Sequence, residues 1–254
     1  MKRVSKLILF LMAFLFTSCS VAYNFANFNA EPIPFVSPPS TKSNDSTIIS
    51  TSVGGKYTHS LHDANAHMGE TNKSGMAFIY QTHTNKNFYF SYGCYGYSGE
   101  YLVKYYPETS KLEPYYGFGL SGEAGFNLPL SNIFDFHVLG IRGSVFYEDG
   151  QYANFRKFVS SIPENGYYHY NAYSSTNGYN ISFTTGINYH FDGLSLGFEG
   201  GLGKTSSYPS TISVLTMNST TYLTSHRFTF YLQYDDSCLA LGEEYSLGFI
   251  YRLN

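Results

Sequence analysis

Tryptophan is absent from this 254-residue chain, and charge is scarce, with Asp, Glu, Lys and Arg together making up 13%. An average soluble domain carries about 25% charged residues. A surface this poor in charge is hard to keep in water, so a fully hydrated globule is disfavoured. Only three cysteines are present, and none has a C-x-x-C neighbour, which excludes a disulfide-built scaffold and a zinc or redox motif of that kind. The longest apolar run, Leu7–Phe16, falls short of the roughly 20 residues that a membrane-spanning helix needs. The formal charge is −3, so no basic footprint for nucleic acid exists. What is abundant is aromatic and small: 26 Tyr, 22 Phe and 24 Gly, with 43% hydrophobic residues. That content can bury a core, which argues against disorder.

The N-terminus reads as an address. Lys2, Arg3 and Lys6 precede the apolar run, and Thr17, Ser18 and Cys19 follow it. A basic region, a short apolar region and small residues make a secretory signal over residues 1–18. Its placement before a single cysteine resembles a bacterial lipoprotein leader, which implies acylation of Cys19. Phe16 stands where such leaders usually have Leu. Loss of residues 1–18 removes three cations and leaves a charge of −6. With Cys19 acylated, one bond between Cys94 and Cys238 is arithmetically possible, but neither placement favours it. Residues 19–46 contain Pro32, Pro34, Pro38 and Pro39 followed by Ser, Thr, Asn and Asp. They are expected to form an extended linker that holds the folded part away from the lipid anchor.

From Thr47 to the end, residues 47–254, period-two alternation dominates. Ile181, Phe183, Ile187, Tyr189 and Phe191 share one face, and Asn180, Ser182, Thr184, Asn188 and His190 share the other. Asp192-Gly193 then supplies a two-residue hairpin turn. The stretches 117–130, 194–203, 222–234 and 239–253 alternate in the same way, and further strands are expected near 47–58, 75–83, 87–103 and 132–147. In the last of these the apolar set changes face around Gly140, which indicates a bulge. About nine strands are countable, whereas single-chain bacterial barrels carry an even number, so a strand is missed, with 164–173 and 211–217 as candidates, or one does not span. Longer loops are expected at 59–74, 104–114, 148–177 and 206–219.

The polar face is rich in Gly and Ser and carries Glu123, Glu199, Glu244, Arg227 and Arg252. A narrow lumen needs small residues, and opposed charges there can neutralise one another. The expected fold is therefore an all-β, antiparallel up-and-down transmembrane β-barrel of about 8–10 strands, apolar face outward. Tyr189, Phe191, Tyr222, Tyr234 and Tyr251 are expected in the interfacial girdles, and the aromatic excess is divided between the lipid face and the rims.

Cys19 after its leader, the Pro32-Ile33-Pro34-Phe35 stretch and Gly-rich alternating strands together resemble outer-membrane β-barrel lipoproteins of the Bacteroidetes type. Asp45-Ser46-Thr47 is similar to the short O-glycosylation signal of such bacteria, which would modify Ser46. The chain ends on Leu253-Asn254 rather than on the Phe common in outer-membrane barrels.

Chemistry is thinly marked. Gly201, Gly203, Lys204 and Thr205 superficially match a phosphate loop, but Phe198 replaces the required first Gly. His59, His62, His67 and Asp63 fit no regular metal site. Ser225-His226 are adjacent, and neighbouring strand residues point to opposite faces, so they form no dyad. No cofactor or metal is expected. The expected role is non-enzymatic: a lipid-anchored barrel that is structural or an accessory partner of an envelope complex, with outer-membrane lipids around it and no nucleic acid. One alternative is a soluble lipoprotein barrel holding an apolar ligand among inward Phe118, Phe183, Phe198 and Phe228. Another is an outer-membrane barrel hydrolase.

Overall fold

The computed structural model describes residues 26, 33–36, 47–62, 70–105, 109–161, 172, 174–208, 213–237 and 243–253. Ten antiparallel strands run β1 (Ile48–His62), β2 (Glu70–Asn85), β3 (Phe88–Tyr105), β4 (Thr109–Pro129), β5 (Phe134–Gly150), β6 (Asn177–Phe191), β7 (Leu194–Ser207), β8 (Ser213–Ser225), β9 (Phe228–Ser237) and β10 (Glu243–Arg252). Each pairs with its chain neighbours, and β1 pairs with β10 to close the barrel. Closure leaves no sheet edge, the condition for spanning a bilayer with strands. A transmembrane strand needs about 9–11 residues, so the ten-residue β9 and β10 just suffice while the 21-residue β4 extends well past the bilayer.

The alternation resolves unambiguously into inside and outside. Phe118, Leu120, Leu232 and Leu247 point outward and are 60–62% exposed, whereas Glu123 and Arg142 on the other face are at most 1% exposed. A soluble barrel would reverse this arrangement. The alternative with an aromatic, ligand-binding interior fails on the same ground: Phe118, Phe183, Phe198 and Phe228 all lie on the outer wall. Among the described residues no helix is long and apolar enough to cross a membrane.

The strand missing from the sequence reading is β8. The stretch 222–234 looks like one strand, but it is the end of β8, a turn and the start of β9. His226 occupies that turn with φ +50°. Such turns favour Asn-Gly or Asp-Gly, and His-Arg carries no such signal. Lys86 turns β2 into β3 in the same way, at φ 53°. The predicted long loops at 59–74, 104–114 and 206–219 are instead largely strand, because ladder hydrogen bonds continue above the apolar band. In the region 148–177 the chain forms a helix, α1 (Gln151–Ser161), which turns Tyr152, Ala153, Arg156 and Val159 inward on one face. Gly150, at φ +116°, makes the pivot from β5 into α1.

Aromatics also fill the lumen, contrary to their expected division between lipid face and rims. Tyr80, Tyr89, Tyr95, Tyr97, Tyr115, Tyr222 and Tyr231 are buried inside the barrel. Phenylalanine mostly faces lipid. The hydroxyl explains the sorting, since in the lumen Tyr finds partners such as Ser144 for Tyr95 and Glu148 for Tyr97. Tyr222, expected in a girdle, hydrogen-bonds inside to Asn188. Phe134, Tyr189 and Phe191 form one ring-contact cluster at the short-turn rim, Phe228–Tyr251 lies elsewhere on the same rim, and Tyr234–Tyr245 sits at the opposite rim.

The lumen glycines make room for these rings. Tyr97 pairs directly with Gly117 and Tyr95 with Gly119 across β3–β4, and Tyr231 pairs with Gly248 across β9–β10. A Cβ at Gly117 would strike the Tyr97 ring and approach the Tyr147 carbonyl oxygen to 2.5 Å, whereas at the outward Gly96 the nearest atom is 3.8 Å away. Gly117→Val is therefore expected to destabilise the barrel by about 1–3 kcal/mol through overpacking, and Gly96→Val to be tolerated. Urea midpoints of the detergent-refolded variants measure the contrast, and equal midpoints would remove the role given to the Tyr–Gly pairs.

Candidate functional site

Three polar centres lie along the lumen. At mid-height, Glu123 on β4 pairs directly with Arg142 on β5. Arg142 Nε donates to Glu123 Oε2 at 2.8 Å, Nη2 lies 2.6 Å from the same oxygen, and Nη2 also donates to Glu199 Oε1 on β7 at 2.9 Å. The Tyr89 hydroxyl donates to Glu123 Oε1. His137 stands alongside, its ring nitrogens bonded to Asn127 Oδ1 at 2.8 Å and Thr184 Oγ1 at 3.0 Å. One guanidinium thus bridges carboxylates from two strands. Its planar fork suits that task better than an ammonium would.

At the rim that carries the longer connections, α1 and the N-terminal arm meet the wall. Arg156 Nη2 donates to Glu148 Oε1 at 2.9 Å, and the guanidinium lies 5.4 Å from the centre of the Tyr152 ring. Tyr152 stacks on Tyr101 at 4.1 Å. Glu148 Oε1 also accepts the backbone N–H of Ala26 at 3.1 Å, and Asn72 Nδ2 donates to the Ala26 carbonyl at 2.7 Å. Deeper in the lumen, Phe35 packs edge-on against Tyr80 at 5.2 Å, beneath the Arg142 guanidinium. Arg142 Nη2 reaches the Phe35 carbonyl at 3.4 Å. The described part of the expected tether therefore lies inside the barrel. Ile33 and Phe35 are apolar, and burying them is favourable once a lumen of matching width exists.

At the short-turn mouth, Asp135, His190 and Ser195 form a hydrogen-bonded chain. Asp135 Oδ2 lies 2.8 Å from His190 Nε2, and Ser195 Oγ lies 2.8 Å from His190 Nδ1. His190 and Ser195 are direct partners across β6–β7, three residues on either side of the Asp192-Gly193 turn centre being enough to hold them face to face. In the tautomer that carries its proton on Nε2, facing the Asp135 carboxylate, Nδ1 is left to accept from the serine hydroxyl. That is the order in which a histidine can activate a serine, with the two ring nitrogens exchanged relative to the serine-protease arrangement.

The five charges assigned to the lumen divide among separate places. Glu123 and Glu199 meet at Arg142. Glu244 sits at the upper rim, where its Oε1 accepts from Asn72 Nδ2 at 3.3 Å. Arg227 is exposed in the β8–β9 turn and donates to the Leu253 carbonyl at 3.5 Å. Arg252, half-buried, ends β10. Arg227 leaves the expected face because the turn interrupts the alternation on which that placement relied. Arg142 escaped the sequence reading for a related reason. The β5 register shifts between His137 and Gly140, so inward positions change from Asp135 and His137 to Gly140, Arg142 and Ser144. The change of apolar face at Gly140 was the signal that could have found it. Cys19, Ser46, Cys238, Asp63 and His67 lie outside the described residues. Cys94 is exposed on the outer face of β3, and no group of three metal-ligating side chains occurs among the described residues.

The outer wall itself is uneven. Gly55, Gly75, Ala77 and Gly96 leave a depression of about 840 Å³ beside Tyr57, Leu247 and Phe249. In a bilayer, lipid tails fill such a dent.

These features define a closed ten-stranded transmembrane β-barrel whose lumen holds its own side chains and a segment of its N-terminal arm. No protein-family model matches the chain, and no curated protein matches it by sequence. Solved structures of similar form include the β domain of the Bordetella autotransporter BrkA, at 9% identity and TM-score 0.47, covering 80% of this chain and 98% of that one. An outer-membrane channel from Pseudomonas putida F1 is similar at 11% identity and TM-score 0.47, covering 86% and 100%. The translocator domain of the autotransporter NalP from Neisseria meningitidis is similar at 8% identity and TM-score 0.44, covering 84% and 90%. These are likenesses of barrel architecture and assign this chain no activity.

Removing Arg142 would leave two buried carboxylates facing each other. Arg142→Met is expected to cost about 3–5 kcal/mol, as for other broken buried pairs. Adding Glu123→Gln and Glu199→Gln should recover most of that loss. Chemical unfolding in detergent measures both, and additive rather than compensating effects would show that the three do not act as a unit.

Proposed function

We propose that the chain is a lipid-anchored, non-enzymatic outer-membrane β-barrel, serving as a structural or accessory component of the cell envelope rather than as a pore. The observation that carries this reading is the filled lumen: at mid-height Arg142, Glu123, Glu199, Tyr80 and Phe35 occupy the cross-section of a barrel already narrow at ten strands. The lipid anchor rests on Cys19 and its leader, and the bacterial group on the resemblance of the whole pattern. Outer-membrane lipids contact the apolar wall, and the accessory role implies an envelope protein as partner. Metabolic labelling with palmitate should mark the native chain and not Cys19→Ala, while both remain in the membrane fraction with heat-modifiable migration. The purified native barrel should give no steady conductance in planar bilayers. Recovery of Cys19→Ala as a soluble protein, or a stable open channel, would overturn the reading.

A hydrolase is the second reading, and the Asp135–His190–Ser195 chain is the specific observation in its favour. It lies at a mouth, with His190 partly exposed, where a substrate could approach from the short-turn side. A fluorophosphonate probe should then label the native protein and not Ser195→Ala. Absence of labelling in the folded native barrel removes this reading.

A further inference from the structure

We propose that the N-terminal arm threads the barrel lengthwise, entering at the long-connection rim and leaving at the short-turn rim, so that the chain upstream of Ala26 is presented on the long-connection side.

The direction follows from which wall residues hold which arm residues. β1 begins at the short-turn rim, beside the β2–β3 turn, where Ile48 pairs with Thr84. An ordinary linker leading into β1 would stay on that side. Ala26 does not: its N–H is held by Glu148, two residues from the end of β5, and its carbonyl by Asn72, two residues from the start of β2. Both positions belong to the opposite rim. Phe35, nine residues later, is held at mid-height by Arg142 and Tyr80. From Asn72 to Tyr80 the wall descends eight strand residues, about 27 Å at ~3.4 Å per residue, or about 20 Å along the axis of a tilted barrel. Nine arm residues reach at most about 30 Å, so an extended segment fits that descent.

The contacts suit a threaded peptide. At Ala26 and Phe35 the wall binds backbone groups, with Asn72 and Glu148 satisfying both polar atoms of one peptide residue. Ile33 and Phe35 add fully buried apolar side chains. A buried extended segment without such partners would be costly.

The consequence concerns the membrane leaflet. In barrels of this kind short turns face the periplasm and longer connections face the exterior. The rims here differ in that way: two-residue turns at 86–87, 192–193 and 226–227 stand opposite the connections 63–69 and 151–176. Cys19 lies seven residues before Ala26, within about 25 Å of reach. Resting on the lipoprotein reading above, the acyl chain of Cys19 would therefore enter the leaflet on the exterior side, after its arm has passed through its own barrel.

Two variants, Ala22→Cys and Ser43→Cys, made on a parent with Cys94→Ser and Cys238→Ser that retains Cys19, test the topology, and the parent itself gives the labelling of Cys19 to be subtracted. A membrane-impermeant polyethylene-glycol maleimide is applied to intact cells and to cells with a permeabilised outer membrane. Position 22 is expected to react in both, and position 43 only after permeabilisation. Protection of position 22 on intact cells, whatever follows permeabilisation, overturns threading, as does reaction of position 43 on intact cells. Heat-modifiable migration confirms that each variant has folded. Should a cysteine disturb the arm, short epitope insertions after residues 21 and 43, detected by antibody on the same two preparations, give the same discrimination. Palmitate labelling is scored separately, so loss of the lipid reading and loss of the threading are distinguishable.

Discussion

Every backbone N–H and C=O that enters hydrocarbon must be paired within the protein, and in this chain the pairing of β1 with β10 completes that requirement. Once the sheet closes, the rest of the architecture is constrained. Each strand has one face in lipid and one in a lumen whose width is set by ten strands. A residue cannot be moderately polar in both directions. Phenylalanine and leucine therefore populate the wall, while tyrosine, with a ring to fill space and a hydroxyl to bond, populates the interior. The lumen glycines belong to the same solution, since a ring lying across one strand needs a missing side chain on the next.

Buried charge plays a different part from apolar packing. Arg142 lies between Glu123 and Glu199 with almost no exposure. Desolvating three charges is expensive, so the cluster is weak evidence for stability, but it strongly penalises any arrangement that separates its members. It ties β4, β5 and β7 together across the lumen and supplies a donor to the arm at Phe35. The upper centre works likewise: Glu148 receives both Arg156 of α1 and the peptide of Ala26, linking cap, arm and wall through one carboxylate.

Much of this was legible from the residues. The alternation along 180–191 and 194–203, the Asp192-Gly193 turn and the bulge near Gly140 all appear in the fold. The inward placement of Glu123, Glu199 and Glu244 was legible as well, because period two needs only the local sequence. What was lost was lost where local cues are silent. His226-Arg227 turns the chain without Gly or Asn, and so hid β8 and misplaced Arg227. The register shift in β5 reversed the parity set by Asp135 and His137, and only that reversal brings Arg142 inward. Strand continuation above the membrane lacks a regular apolar face, so 206–219 reads mainly as loop, although 211–217 is one of the two candidates for the missing strand and is where β8 begins.

By itself the sequence determined the class of structure: a chain too poor in charge for a soluble surface, with strands apolar on one face and rich in small and polar residues on the other. It also determined which residues were inward wherever a strand ran without interruption. Tertiary structure decided which inward charges meet: the β4–β5 register sets Arg142 opposite Glu123, and the curl of the sheet brings Glu199 of β7 to the same guanidinium. Closure likewise decided the fate of the arm. Ile33 and Phe35 are unremarkable in a proline-containing linker, and they acquire a place to be buried only when ten strands enclose one.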